Sequence, residues 1–231
     1  MIESLFAEIR DREPRFVVYG TDEWTEVETR FATHNVEIDH RSLPSGFSAP
    51  FLVVERDGEF AGALGLDALD GLLEPPIVRP GDGDSVSDAY RAVFDVLDDT
   101  VFTSMDRRRL LAISREIEDR AYRVGAGTLR VGFQTLSTFE SQVEPYRRLA
   151  TKTELDVHVY GVPDRTPPTV AEITFHEDAD GEFERYWLLA FDGGPDESDP
   201  CGLVAKERAD GYRGFWTDDR DVVRSIAAAL E

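Results

Sequence analysis

Apolar positions along the chain repeat with two periods, one of three to four residues and one of two. Ile2, Leu5, Phe6 and Ile9 recur at helical spacing, and "RFVVY" (15–19) is apolar on both faces, as a buried strand requires. Thr21 or Asp22 then caps a second predicted helix carrying Trp24, Val27 and Phe31 on one side, and "VEIDHRSL" returns as a strand. "PFLVVERDGEFAGALGL" reads as two strands joined by Asp57-Gly58, a two-residue hairpin signal. A short helix near "DALDGLL" runs into the Pro/Gly/Asp stretch 74–84, the best linker candidate in the chain.

Past that stretch, Ser85-x-x-Asp88 reads as a capping box before a stripe of Val86, Tyr90, Val93 and Leu97. A longer helix starts at Asp106 with Leu110, Ser114, Ile117 and Ala121 on one face, and Gly125 ends it. Its other side, expected to be exposed, carries Arg115–Asp119, Glu116–Arg120 and Asp119–Arg123 at i,i+4. Strand 128–134, helical segments over 136–150 and strand 155–161 follow. Within the helical part, Ser137 is expected to cap with Glu140 three residues on, and Pro145 to restart the helix near its first position. "TVAEITFHEDADGEFERYWLLAFDGG" is predicted as an antiparallel hairpin and "GLVAKERADGYRGFW" as another. A last helix turns Val222, Val223, Ile226 and Leu230 inward. The pattern is that of an α/β (α+β) chain: a mixed sheet with βαβ units and antiparallel hairpins, and helices packed on the sheet. It divides into two subdomains, an N-terminal α/β part over 1–83 and a second part over 84–231.

Composition sharpens this in two ways. The chain has 231 residues, enough for one large or two small domains with a core that needs no staples. Against 47 acidic residues stand 25 basic ones, a net charge of −22, and only Lys152 and Lys206 are lysine. Such a surface suits concentrated salt: at ~1 M the Debye length falls to roughly 3 Å and self-repulsion is screened. The expected setting is the cytoplasm of a salt-accumulating halophile. Nucleic acid is disfavoured as a partner because phosphate neutralisation needs clustered Lys and Arg, and Arg107, Arg108 and Arg109 sit beside Asp106 as a local salt-pair face. The single cysteine, Cys201, excludes an intramolecular disulfide framework and reads as a small buried strand residue. "MIESLFAEIRDREP" lacks the regions of a signal peptide, and stretches such as "YWLLAF" are too short to span a bilayer, so no membrane is expected.

Candidate chemistry is sparse. "VGFQTLSTFESQVEPYRRLA" (131–150) has neither the glycines of a phosphate loop nor the Gly-x-Ser-x-Gly of a nucleophile elbow. The strands beside it say more. Leu129, Val131 and Phe133 share one face against Arg130 and Gln134, and Leu155, Val157 and Val159 share one against Asp156, His158 and Tyr160. That polar face either meets solvent or lines a pocket, which would be bordered by Gln134 and Tyr160 near the strand ends. Asp156-x-His158 alone is weak ground for a metal, and His34, His40 and His176 read as scattered surface or strand residues. No cofactor is implied.

Read together, "RRRLLAISREIEDRA", "GFQTLSTF", "YRRLA" and "LDVHVYGVPD" resemble the DICT sensory domain, named for diguanylate cyclases and two-component systems. The resemblance covers about 106–231 and rests on Arg109, Leu110, Ser114, Glu118, Ala121, Phe133, Gln134, Tyr146, Leu149, Ala150 and Tyr160-Gly161. It makes the part over 84–231 a DICT-like domain, in what looks like a stand-alone halophilic archaeal form. It implies a non-catalytic signal-input role in signal transduction, sensing a small-molecule ligand, a light state or a partner, the partner being a signalling protein such as a kinase or transcription regulator. No cyclase, kinase or DNA-binding output follows residue 231, so output is expected from a separate protein. The ligand-binding candidates are Arg130, Phe133, Gln134, Tyr146, Asp156, His158 and Tyr160, with Phe133 and Tyr146 expected to be mainly structural. Two alternatives stand beside this reading: a small enzyme using Asp156, His158 and Arg130, or a protein-binding adaptor with an exposed apolar patch and no cavity.

Overall fold

Two mixed sheets carry the chain. In a computed structural model, residues 2–10, 12, 14–20, 28–29, 31–32, 34–56, 58–67, 80–81, 91, 94–166, 168–170 and 172–231 are described. The smaller sheet consists of β1 (Arg15–Gly20), β2 (Glu37–Ser42), β3 (Phe51–Arg56) and β4 (Glu59–Gly65), in the order β2-β1-β3-β4. β1 is parallel to β2 and antiparallel to β3, and β3 and β4 form an antiparallel pair. The larger sheet holds β5 (Phe102–Met105), β6 (Ala126–Thr135), β7 (Glu154–Val162), β8 (Ile173–Glu177), β9 (Tyr186–Phe191), β10 (Cys201–Arg208) and β11 (Gly211–Thr217). Its order is β5-β11-β10-β9-β6-β7-β8, with β6, β7 and β8 parallel to one another and the remaining pairs antiparallel.

The helices are α1 (Ile2–Arg10), α2 (Arg107–Val124), α3 (Leu136–Glu140), α4 (Val143–Lys152) and α5 (Arg220–Leu230). α3 and α4 make the crossover between parallel β6 and β7, the βαβ unit expected of 128–161. Each face of the large sheet has its own core. On one face, Leu129, Val131, Val157, Val159, Leu189 and Leu203 pack with Leu110, Ile113 and Ile117 of α2, in a cluster that continues to Phe16, Val18, Leu52 and Val54 of the small sheet. On the other, Leu188, Val204 and Phe215 pack with Leu5, Phe6 and Ile9 of α1 and Val222, Val223, Ile226 and Leu230 of α5.

Most predicted elements form where the periodicity places them, and four expectations are corrected. β8 and β9 are not a hairpin, because β6 and β7 lie between them. "YWLLAF" is apolar on both faces and takes a central position, whereas "ITFHE" is half polar and takes the edge. The turn between them is diverted: the Asp178 carboxylate accepts from the backbone N–H groups of Glu182 and Phe183. Second, the charged side of α2 is buried rather than exposed, with Arg115 at 6%, Glu116 at 1%, Glu118 at 1% and Asp119 at 7% accessibility. The partners differ accordingly: Arg115 pairs with Glu118 and Arg120 with Asp95 and Asp218, while Arg123–Asp119 forms as expected. Third, Thr135, not Ser137, caps α3, its side chain accepting from Thr138 N. The helix breaks at Ser141 and Gln142, so Pro145 sits in the first turn of α4, where its missing N–H costs nothing. Fourth, β5 is a strand of only 4 residues that the periodicity did not reveal.

The cap at Thr21 or Asp22 with Trp24 and Val27, the turn residue Asp57, nearly all of "DALDGLL" and the 74–84 stretch, and the Ser85-x-x-Asp88 box lie outside the described residues.

Candidate functional site

The parallel register of β6, β7 and β8 decides which polar side chains meet. Arg130 lies opposite His158, Gly132 opposite Tyr160, and Tyr160 opposite His176. Because side chains alternate along a strand, Arg130, Asp156, His158 and Tyr160 project to the α5 side of the sheet. There they join in one chain of contacts. Asp156 Oδ2 is 3.0 Å from His158 Nε2, and His158 Nδ1 is 2.9 Å from His176 Nε2. The His176 ring stacks on Tyr160 at 4.3 Å between centroids and 10° between planes. Arg130 lies close enough to Tyr160 to pull on its hydroxyl, and its Nη2 donates to Glu231 Oε1 at 2.8 Å. Gly132 lets α5 close over this row: a Cβ there would stand 3.0 Å from Leu230 and 3.1 Å from Leu188.

Burial and charge act together on these groups. Burial, followed by the neighbouring His158, holds the His176 imidazole below the usual histidine range. Burial raises the Tyr160 hydroxyl above its ordinary value, against the opposing pull of Arg130. Two clefts flank the row. One of about 580 Å³ lies between Tyr160, His176, the 177–183 segment and the end of α5. The other, of about 250 Å³, has Arg130 in its wall with Arg220, Arg224 and the Ala227 side of α5. Glu231 borders both.

The remaining sequence candidates go elsewhere. A register shift between Gly132 and Thr135 interrupts the alternation of β6, so Gln134 leaves the polar row, while Phe133 stays on the face of Leu129 and Val131. Gln134 Nε2 donates to Glu207 Oε2 at 2.7 Å, beside Tyr212, whose ring belongs to the core cluster on the α2 side. Gln134 and Tyr160 therefore do not border one cavity. Phe133 packs edge-on against Phe139 at 5.3 Å and against Tyr146 at 5.8 Å, inside the α2-side core.

Tyr146 heads a second polar constellation. Its hydroxyl donates to Glu118 Oε1 at 2.5 Å, and Arg115 reaches from Glu118 to the side-chain oxygen of Gln142. Tyr146, at 1% accessibility, is held well above the ordinary tyrosine range by burial and then by the Glu118 carboxylate. This network clamps α2 to the start of α4.

His176 and Glu231 are the site residues that sequence reasoning missed. His176 was legible only through the parallel pairing of β8 with β7, which the hairpin expectation concealed. Among the described residues, no group of three or more His, Cys, Asp or Glu is arranged to hold a metal ion, and no helix is long and apolar enough to cross a membrane. The family model described as the sensory domain in diguanylate cyclases and two-component systems, DICT, matches residues 89–208, a little more than half of the chain. No curated protein and no solved structure matches the chain.

Proposed function

The chain belongs to the DICT family of sensory domains, and from that premise we propose that it senses a small molecule on the α5 side of its large sheet. The observation that carries this reading is the contact chain Asp156–His158–His176–Tyr160–Arg130–Glu231 lying between two clefts. Its members are exchangeable in a way the buried Glu118 network is not. Except for Tyr160, which is buried at 6%, they are partly exposed, and the Asp156–His158, His158–His176 and Arg130–Glu231 contacts are ones that a ligand's own polar groups can replace. Both ring nitrogens of His158 are engaged, one by Asp156 and one by His176. In this proposal the domain works in the salt-rich cytoplasm of a halophile and passes its state to a separate signalling protein.

Native mass spectrometry of the protein purified from its own host tests the reading. A small molecule is expected to travel with the wild type and to be lost from the His176→Ala, Tyr160→Ala double variant. Retention by the folded double variant would place the ligand elsewhere; a stoichiometric protein in its stead would favour the adaptor reading. The salt requirement is tested by urea midpoints in rising KCl, which should climb as repulsion is screened.

A further inference from the structure

Resting on the sensory reading, we propose that the recognised group is a compact oxyanion, a carboxylate or a phosphate, held by the Arg130 guanidinium, and that Glu231 is an internal carboxylate which it displaces. The cleft of about 250 Å³ brings three guanidiniums, those of Arg130, Arg220 and Arg224, to one place. Three carboxylates, Asp192, Glu197 and Glu231, share the lining, so the cleft balances its charges on a chain whose net charge is −22, and Asp192 is already spent on the backbone N–H groups of Thr128 and Gly194. Arg220 and Arg224 sit at the rim and share Glu197, at 3.3 and 2.6 Å. Arg130 comes from the middle of β6, beneath α5, and is the more enclosed. It spends Nη2 on Glu231, while its Nε is buried without a hydrogen-bond partner among the described residues.

A guanidinium is a fork of donors suited to a two-pronged oxyanion, and a carboxylate touching only one arm leaves part of that capacity unused. The Glu231 side chain is 60% exposed, so its pair with Arg130 is weakly held and open to exchange. The rest of the lining suits a small amphipathic acid: Ala190, Pro200, Val223 and Ala227 form an apolar wall beside the charged groups. At this volume the cleft falls below the roughly 300–1,000 Å³ of drug-sized pockets, which limits the ligand to a few heavy atoms. The larger cleft is a weaker candidate. Its acids line a surface that is acidic throughout, and Asp178 is already spent on backbone N–H groups. Arg130 also stands near the end of α5, where a cation interacts favourably with the helix dipole, and this purely structural role predicts no ligand response.

The test is calorimetric titration at fixed KCl with two probes, inorganic phosphate and isobutyrate, on wild type, Glu231→Gln, Arg130→Gln and Arg130→Lys. One site per chain is expected, with preference for phosphate or for isobutyrate naming the oxyanion. Glu231→Gln should tighten binding by about threefold or more, because the competing charge is gone. Arg130→Lys should weaken it by about tenfold, keeping the charge but losing the fork, and Arg130→Gln should abolish it. Binding of neither probe to wild type or to Glu231→Gln would overturn the proposal, and so would binding undiminished in Arg130→Lys. Should both probes fail while a co-purified molecule still depends on Tyr160 and His176, the sensory reading stands and the oxyanion assignment falls.

Discussion

On each face of the large sheet, ionisable groups are joined to aromatic rings, and the fold treats the two sets oppositely. On the α2 side, Arg115, Glu118 and Tyr146 are all under 10% exposed, and each polar atom that joins them has a partner. On the α5 side, the His158 side chain is 19% exposed and that of Asp156 67%, and the contacts end at the surface residue Glu231. Taking ions out of water costs several kcal/mol each, so a buried set persists only where geometry and hydrogen bonds are complete. Once complete, it fixes its helices and has nothing left to offer. The open set is held weakly and can trade partners. Polar residues of a sensory fold thus divide into a frame that must not change and a row that can.

The sharpest way to break this contrast is to remove the centre of the frame. Glu118→Ala leaves the Arg115 guanidinium buried with only Gln142 and strips the acceptor from the Tyr146 hydroxyl. A loss of about 3–5 kcal/mol in urea unfolding is expected. An unchanged midpoint would mean that the network is solvated and that the two faces do not differ. Phe133→Ala should follow at about 3 kcal/mol, since the ring is 5% exposed and braced by Phe139 and Tyr146. Little effect there would return Phe133 to the list of ligand contacts. Tyr146→Phe keeps the ring and removes one hydrogen bond to a carboxylate, and about 1–2 kcal/mol is expected. A larger loss would show that the hydroxyl, and not the packing, holds α4 to α2.

How much of this was legible beforehand follows the same division. The hydrophobic periods locate β1, β6, β7, β10, α2 and α5, because burial on one face imposes a pattern that solvent does not erase. Period two also put Arg130, Asp156, His158 and Tyr160 on one side, as the register shows. It failed at Gln134, because a register shift leaves no mark on the side-chain pattern. It failed at His176, because strand neighbours are set by the whole sheet: the two consecutive strands of "TVAEITFHEDADGEFERYWLLAFDGG" read as a hairpin, but the fully apolar "YWLLAF" competes for a central place and wins it. The buried charges of α2 were misplaced because i,i+4 spacing describes a solvated helix face and carries no information about a second layer above it. Glu118 and Tyr146 entered instead through family resemblance, and they belong to the frame.

The smallest expected effect belongs to the row, and it is the one that separates the row from the frame by chemistry and not by size. His176 faces His158, Tyr160, Asp156, Arg130 and Glu231, and burial first, then His158, holds its imidazole below the usual range. In the unfolded chain the same ring titrates near its ordinary value of about 6.5. Below that pH the unfolded state therefore binds a proton that the folded state refuses, so stability falls as pH drops through the unfolded value towards the folded one. The ring is partly exposed, which keeps the effect under about 1 kcal/mol. Other groups also titrate: His34, buried near Arg109 with its imidazole lowered to about 4, acts in the same direction, while Asp98, raised by burial to about 7, acts in the opposite one. The informative quantity is thus a difference between proteins, since groups without shared contacts cancel. Urea midpoints of wild type and His176→Asn, compared from about pH 8 to about pH 5, should show the variant losing less on acidification. Tyr146→Phe should follow the wild-type slope, because its hydroxyl does not titrate in that window. Parallel wild-type and His176→Asn curves would mean that His176 feels no more burial than a surface histidine, and the row would then be plain solvated surface.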